Sequence, residues 1–208
     1  MTAYNLPKST LINKFIPKIN IFHHANSNYK GREEFRAVQK ITRKHKLAEN
    51  TIGIHKWSKA EEIQIFEIQL KEKSIPKNVL ATIDKIIPYP ILFECVFKDD
   101  VAYVIIYDKE FFVSDWNSDI QFELNWVNLD KVYEKIVSKF VLWNDIWDGN
   151  TEFQDTMERH RKVEALKKEI EKLEAKILKE VQFNRKVPLN IELQKKKKEL
   201  EKLLSLHK

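Results

Sequence analysis

Glutamate, glutamine and lysine alternate along the stretch IQIFEIQLKEK at residues 63–73, in an order that could serve phosphodiester hydrolysis. A metal site of the restriction-enzyme type needs an acid on one strand, and an acid or glutamine, a spacer and a lysine on the next. Its carboxylates hold Mg²⁺, and its lysine polarises the attacking water or the phosphate. Glu67, Gln69 and Lys71 would share one strand face, because alternate residues do so. Only this interpretation calls for Mg²⁺ as a cofactor.

The nuclease interpretation lacks one essential residue. Between Leu47 and Glu61 the only acid is Glu49, and it precedes the short apolar segment where the upstream strand acid should lie. Alternating polar residues are also typical of a solvated sheet face or a charge-protected sheet edge. We therefore treat a nuclease as the alternative and a surface or interface as the leading interpretation of this stretch.

Other catalytic chemistries have little support in the sequence. Three glycines cannot build a glycine-rich phosphate loop, and Cys95 is the single cysteine, which excludes a disulfide framework and a thiolate zinc site. The six histidines show no spacing suited to a shared metal ion. No metal site and no resident cofactor are predicted.

Charge is distributed unevenly along the chain. Residues 1–60 carry a net charge of +9, residues 61–150 of −8 and residues 151–208 of +5. Such asymmetry indicates an anionic partner, or charge pairing within or between chains. For nucleic acid we expect phosphate contacts from a basic helix face and the segment before it: Lys14, Lys18, Arg32, Arg36, Lys40, Arg43 and Lys44.

Hydrophobic periodicity predicts an α+β domain over residues 1–150. A helix is expected from Gly31 to Leu47, a short strand near Ile52 and Ile54, and a strand at 63–71. A second helix follows Pro76 and ends at Pro88, four β-rich runs occupy 89–127, and a helix covers 128–142. Short connections between the β-rich runs favour an antiparallel meander within a mixed or antiparallel sheet that is packed by helices.

Residues 151–208 have the pattern of an antiparallel helical hairpin with coiled-coil character. Apolar residues from Val163 to Ile177 recur at steps of three and four, QFNRKVP interrupts them, and Pro188 suits the first turn of a second helix. We expect the hairpin to bind a protein partner, either a larger enzyme subunit or a second copy of the chain. The residues proposed for partner contact are Phe183, Val187, Leu193 and Leu200.

Several phrases of the chain resemble a prokaryotic family catalogued as domain of unknown function 4391. They are LPKST with NKFIPK, EIQIFEIQLKEK, IDKIIPYPILF and NLDKVYE. The resemblance extends from Leu6 to the helix at 128–142, and a helical hairpin is the usual ending of its members. It implies a role in genome defence, because members tend to lie beside helicase, methyltransferase and restriction genes. It assigns no catalytic residue.

These features together predict a non-catalytic accessory or recognition subunit of a restriction or helicase-associated assembly. A basic face would bind nucleic acid, and the hairpin would dock on a helicase or methyltransferase subunit or self-associate. The alternatives are a divergent Mg²⁺-dependent nuclease and a structural adaptor without nucleic-acid contact. No window approaches the ~18 apolar residues of a membrane span, and the N-terminus lacks a signal-peptide core, so a cytoplasmic location is expected.

Overall fold

The computed structural model describes residues 4–23, 29–54, 61–121, 128–142 and 153–205, with the backbone alone at 29–32 and 141–142. The chain divides into two compact units, Met1–Phe140 and Val141–Lys208. The first unit has the α+β architecture expected from the sequence. The second contains two packed helices.

A six-stranded mixed sheet forms the centre of the first unit. Its strands lie in sequence order, and every neighbouring pair is antiparallel except the third and fourth, which are parallel. The strands are β1 (Leu11–Phe15), β2 (Val38–Ala48), β3 (Glu62–Leu70), β4 (Ile91–Phe97), β5 (Asp100–Tyr107) and β6 (Glu110–Val113). The α-helices that begin in this unit are α1 (Lys18–Phe22), α2 (Tyr29–Ala37), α3 (Glu49–Ile52), α4 (Lys77–Ile86) and α5 (Leu129–Leu142).

The parallel pair is produced by the crossover through α4. Pro76 precedes the first residue of α4, and the apolar residues Val79, Leu80 and Ile83 are buried on one side of it. The expected meander is confirmed for β4, β5 and β6, which follow one another through tight turns. Asp108 and Lys109 both have positive φ in the second turn, as a two-residue hairpin of the primed type requires.

One face of the sheet carries the main hydrophobic core. Strand residues such as Ile41, Phe66 and Phe93 meet Phe35 of α2 and Leu80 of α4 in a single cluster. The single cysteine, Cys95, belongs to this cluster and is fully buried. The opposite face is different in character, because the charged side chain of Glu94 is buried on it alongside apolar side chains such as that of Leu92.

The predicted helix from Gly31 to Leu47 is wrong beyond Ala37, where the chain becomes strand β2. The β2–β3 register shifts between Val38 and Lys40 and again between Arg43 and His45. A β-bulge adds one residue to a strand, so buried neighbours lie three residues apart instead of two. Val38 and Ile41 are both fully buried in this way, and their spacing imitates a helix.

Two further expectations concern shorter segments. The prediction of a strand near Ile52 and Ile54 is wrong, because residues 49–52 form the short helix α3. This helix ends at Gly53, which has a φ of 69°. Glycine adopts this left-handed conformation without steric cost, so the chain can leave the helix there. From residue 122 to its end at residue 127, the fourth β-rich run lies outside the residues that the structure describes. The helix expected at 128–142 is confirmed as α5, and Asn128 Oδ1 accepts the backbone N–H of Lys131.

The second unit consists of α6 (Phe153–Lys179) and α7 (Phe183–Ser205). Ile170, Leu173 and Leu193 form the buried seam between them. The helices run antiparallel, since Arg159 near the start of α6 donates to the Leu203 carbonyl near the end of α7, whereas Glu174, later in α6, pairs with the earlier Lys197 of α7. Pro188 lies inside α7 and not in its first turn, because the helix begins five residues earlier. Across the described residues, no helix is both long and apolar enough to cross a bilayer.

Phe93→Ala should lower the free energy of unfolding by roughly 3–5 kcal/mol, because it leaves a cavity in a core where Phe93 is fully buried. Phe183→Ala is the matched control: the same substitution at a side chain that is 77% exposed should cost less than about 0.5 kcal/mol. Urea denaturation of both variants measures the difference. Similar losses at the two sites would contradict the position of the core.

Candidate functional site

A buried ion cluster lies on the sheet face opposite the main core. The second bulge of β2 makes Lys44 the extra residue between Arg43 and His45. Its ammonium Nζ lies 2.8 Å from Glu94 Oε2 and 3.0 Å from Glu67 Oε2. Glu67 and Glu94 are register neighbours on the parallel strands β3 and β4, so their carboxylates are held side by side. One lysine therefore bridges two acids.

Tyr4 completes the coordination of Glu94. Its hydroxyl donates to Glu94 Oε2 at 2.7 Å, and its ring meets the His45 ring edge-on at 5.5 Å. The Glu94 side chain is only 4% exposed, so its charge depends on these donors for stabilisation. Burial and the Glu94 charge raise the pKa of Tyr4 far above its usual range, so the hydroxyl stays protonated and can donate.

The pKa shifts show how the cluster is balanced. Burial alone would lower the pKa of Lys44 and raise that of Glu67. The contacts of Lys44 with Glu94 and Glu67 outweigh burial, so the pKa of Lys44 is raised and that of Glu67 is lowered. The stabilisation of the folded state that Lys44 contributes is present at pH values below the ordinary lysine pKa, and it is lost as the pH rises through the raised pKa of Lys44. The stabilisation of the folded state that Glu67 contributes is present at pH values above the ordinary glutamate pKa, and it is lost as the pH falls through the lowered pKa of Glu67.

His45 lies beside the cluster as a neutral residue. Burial and the nearby Lys44 charge lower the pKa of His45, although Glu94 opposes the shift. Its Nδ1 lies 2.9 Å from Thr10 Oγ1, and that hydroxyl donates its proton to the Pro7 carbonyl. The Thr10 hydroxyl has a single proton, which it already donates to Pro7. Nδ1 of His45 must therefore be the donor in its contact with Thr10.

A second carboxylate, Glu62, neutralises two more cations of β2. Glu62 Oε1 lies 3.1 Å from Arg43 Nη2, and Glu62 Oε2 lies 2.7 Å from Lys46 Nζ. The buried amide of Gln64 also contacts Glu62. The positive charge of β2 is thus balanced largely by acids of β3 and β4.

The predicted catalytic residues are divided between two places. Gln69 Nε2 donates to Glu67 Oε1 at 2.9 Å, so these two side chains lie together beside the ion cluster. Lys71 follows the end of β3, and its side chain lines a cavity with Lys18 and Arg36. Within the described part of the chain, no three His, Cys, Asp or Glu side chains are grouped so that they could hold a metal ion. The catalytic role of Glu67, Gln69 and Lys71 stays a prediction.

The cavity beside Lys71, which we call the cationic pocket, has a volume of about 380 Å³. It is lined by Lys18, Ile19, Phe22, Phe35, Arg36 and Lys71. It brings together two residues of the predicted nucleic-acid surface and one of the predicted catalytic triplet. None of its three cations forms an ion pair with an acid among the described residues, in contrast to Arg43 and Lys44.

The other predicted phosphate contacts occupy varied positions. Lys14 lies opposite Arg43 on the edge strand β1, and Lys40 is exposed on β2 close enough to Glu67 to lower the pKa of that carboxyl. Arg32 belongs to α2, and its side chain lies outside the described residues. The five residues expected on one helix face, Arg32, Arg36, Lys40, Arg43 and Lys44, therefore do not share it, because Lys40, Arg43 and Lys44 lie on a strand.

The predicted partner contacts of the hairpin also separate into two pairs. Leu193 is buried in the α6–α7 seam, and Leu200 packs against it. Phe183 and Val187 are 77% and 41% exposed on α7. In the folded hairpin, Phe183 and Val187 are the members of this set that a partner could reach.

Sequence reasoning overlooked Tyr4, Glu62 and Glu94. Glu94 gave a signal that could have been used, because it is the only acid inside the apolar run YPILFECVF, and a buried charge needs a partner. Tyr4 gave none, since nothing in its neighbourhood indicates a contact with a strand 90 residues later.

Glu94→Gln should lower the free energy of unfolding by roughly 2–3 kcal/mol, because hydrogen bonds to a buried charged group contribute about that much. Glu174→Gln provides the matched control: its 2.7 Å pair with Lys197 is exposed, and surface pairs contribute about 0–1 kcal/mol. Denaturant unfolding at neutral pH distinguishes the two variants. An equally small effect at both sites would mean that the cluster does not stabilise the sheet.

In comparison with known proteins, the chain matches a family described as domain of unknown function (DUF4391) over residues 4–200. No curated protein and no solved structure matched the chain. The matched range includes Tyr4, the whole sheet with its ion cluster, the cationic pocket and most of the helical hairpin. Since the match covers nearly the whole chain, the protein belongs to the DUF4391 family.

Proposed function

We propose that this protein is a non-catalytic recognition subunit of a genome-defence assembly, which binds nucleic acid through its cationic pocket and the neighbouring edge strand. The observation that carries the proposal is the division of the cations into two groups. Arg43, Lys44 and Lys46 are paired with buried or nearly buried acids. Lys18, Arg36 and Lys71 converge on a cavity without such partners.

This division supports a phosphate-binding surface for a physical reason. A lysine already paired with a carboxylate must break that pair before it can contact a phosphate, whereas an unpaired cation gives up only water and counterions. Affinity for nucleic acid comes largely from counterion release by such cations. The binding surface we propose consists of Lys14, Lys18, Arg36 and Lys71, and it is smaller than the sequence alone indicated.

The hairpin supports the protein-binding part of the proposal. Phe183 and Val187 expose apolar surface on α7, and the nearby Val181 and Ile191 are exposed as well. Clustered apolar side chains in water are typical of interaction surfaces. We propose a larger helicase or methyltransferase subunit as the partner, in a cytoplasmic assembly, on the basis of the gene neighbourhood that the family resemblance implies.

A Mg²⁺-dependent nuclease is the second candidate, and one observation favours it. Glu67 and Glu94 lie side by side on parallel strands, with Gln69 bound to Glu67, and paired carboxylates are a common way to hold Mg²⁺. Against it, Lys44 already occupies the space between the two carboxylates, and Lys71 faces the cationic pocket. We therefore place this candidate second.

The test is salt-dependent binding of single- and double-stranded DNA and RNA, measured by anisotropy with and without Mg²⁺. The double variant Lys14→Ala/Arg36→Ala should bind more weakly, and its slope of log K against log salt should flatten by roughly 1.4–1.8, as expected for two lost phosphate contacts. The control Lys85→Ala/Lys109→Asn removes two exposed lysines outside the pocket and should leave the slope unchanged. Asparagine is chosen at position 109 because φ there is 67°.

Three outcomes would contradict the proposal. Equal loss in both double variants would mean that binding follows net charge and not the proposed surface. Mg²⁺-dependent shortening of the strands, absent in Glu67→Gln, would establish the nuclease instead. If the wild type binds no nucleic acid under any condition, the remaining candidate is a structural adaptor that contacts only a protein partner.

A further inference from the structure

The cationic pocket has a composition that bulk phosphate-backbone binding does not require. Three of its lining residues are cations, Lys18, Arg36 and Lys71, and the other three are Ile19, Phe22 and Phe35. Backbone binding by counterion release needs an open basic surface, whereas a cavity of about 380 Å³ lies in the size range of small-molecule sites. The pocket can therefore recognise a group that enters it.

Two cations of the pocket, Lys18 and Lys71, are close enough to repel each other. Burial lowers the pKa of Lys18, and the charge of Lys71 lowers it further. On α2, the carboxylate of Glu34 is already engaged, because it accepts the backbone N–H and the side-chain amide of Asn78 at the start of α4. An anion in the pocket would relieve this repulsion, and one with two negative charges would do so better than one with a single charge.

Lys18 is positioned by contacts that leave it able to bind. Its Nζ donates to the carbonyls of Val38 at 2.8 Å and Phe35 at 3.3 Å, where α2 ends and β2 begins. An ammonium group has three protons, so one donor remains after these two contacts. Arg36 adds a planar guanidinium, which suits two oxygens of one phosphate, and Lys71 adds a second ammonium.

The apolar side of the pocket adds a second requirement for the ligand. Phe22 and Phe35 meet edge-on with ring centroids 5.5 Å apart, and Phe35 is buried whereas Phe22 is partly exposed. Ile19 is exposed beside them. A free inorganic anion would leave this surface in water, while an anion attached to a planar ring would cover it.

We propose that the cationic pocket binds a phosphomonoester attached to a nucleobase-bearing sugar, with the phosphate on Lys18, Arg36 and Lys71 and the base against Phe22 and Ile19. A terminal phosphate carries nearly two negative charges at neutral pH, and an internal phosphodiester carries one. Two sources supply this chemistry, a phosphorylated strand end and a free nucleoside monophosphate. The strand-end source rests on the nucleic-acid binding proposed above, but the chemistry of the pocket does not.

The experiment compares one short labelled DNA strand with a 5′-phosphate, a 3′-phosphate or hydroxyls at both ends, with adenosine monophosphate titrated separately by calorimetry. The wild type should bind one phosphorylated strand about tenfold tighter than the strand with hydroxyl ends. Lys71→Met should remove this preference, because it deletes one of the three cations while the exposed position tolerates the change. Lys85→Met, an exposed control on α4, should keep it.

The possible results separate the pocket from the proposed function. If all three strands bind equally and adenosine monophosphate does not bind, the proposed phosphomonoester site is wrong, while the proposed nucleic-acid binding is still supported. Binding of adenosine monophosphate that needs Lys71, without binding of any strand, supports the pocket with a free nucleotide and overturns the function. An end preference that survives in Lys71→Met overturns the assignment of the site, and no binding of any ligand overturns both.

Discussion

The ammonium of Lys44, held between the carboxylates of Glu67 and Glu94, is the interaction on which the centre of the sheet depends. It connects β2, β3 and β4 through side chains as well as through backbone hydrogen bonds. Two adjacent carboxylates on parallel strands would repel each other without it, and Glu94 would be a buried charge with Tyr4 as its main donor. The bulge at Lys44 makes the arrangement possible, because it adds a residue to β2 at the position where the ammonium can reach both acids.

The pairing of Lys44 is one part of a wider division of the cations in the first unit. The basic first part of the sequence and its acidic middle fold into neighbouring strands, so much of their opposite charge is neutralised inside the first unit. Lys18, Arg36 and Lys71 are among the cations without an acid partner in the described residues, and they collect where β3 ends and α2 meets β2. The cations of this lysine-rich chain are thus divided into paired and unpaired groups, and three of the unpaired ones lie together in the cationic pocket.

Much of the fold could be predicted from the sequence, and the errors have identifiable physical causes. The meander, α4, α5 and the hairpin follow from periodicity and from turn and cap residues, which are local signals. Strand β2 was mistaken for a helix because its bulges separate Val38 and Ile41 by three residues. The site was harder, since Lys44 was recognised as a cation but its partners lie on strands 23 and 50 residues later. Such contacts depend on register, which local patterns do not determine.

The most direct test of this account is the titration of the Glu67 carboxyl, followed by carbon NMR in the wild type and in Lys44→Met. Burial raises the pKa of Glu67, and Lys44 is the main group that reverses the shift. The account predicts a midpoint below the ordinary glutamate value in the wild type and a rise of that midpoint when the ammonium is removed. An unchanged midpoint in Lys44→Met would show that Lys44 does not bridge the two acids, and the division of the cations into paired and unpaired groups would then be wrong.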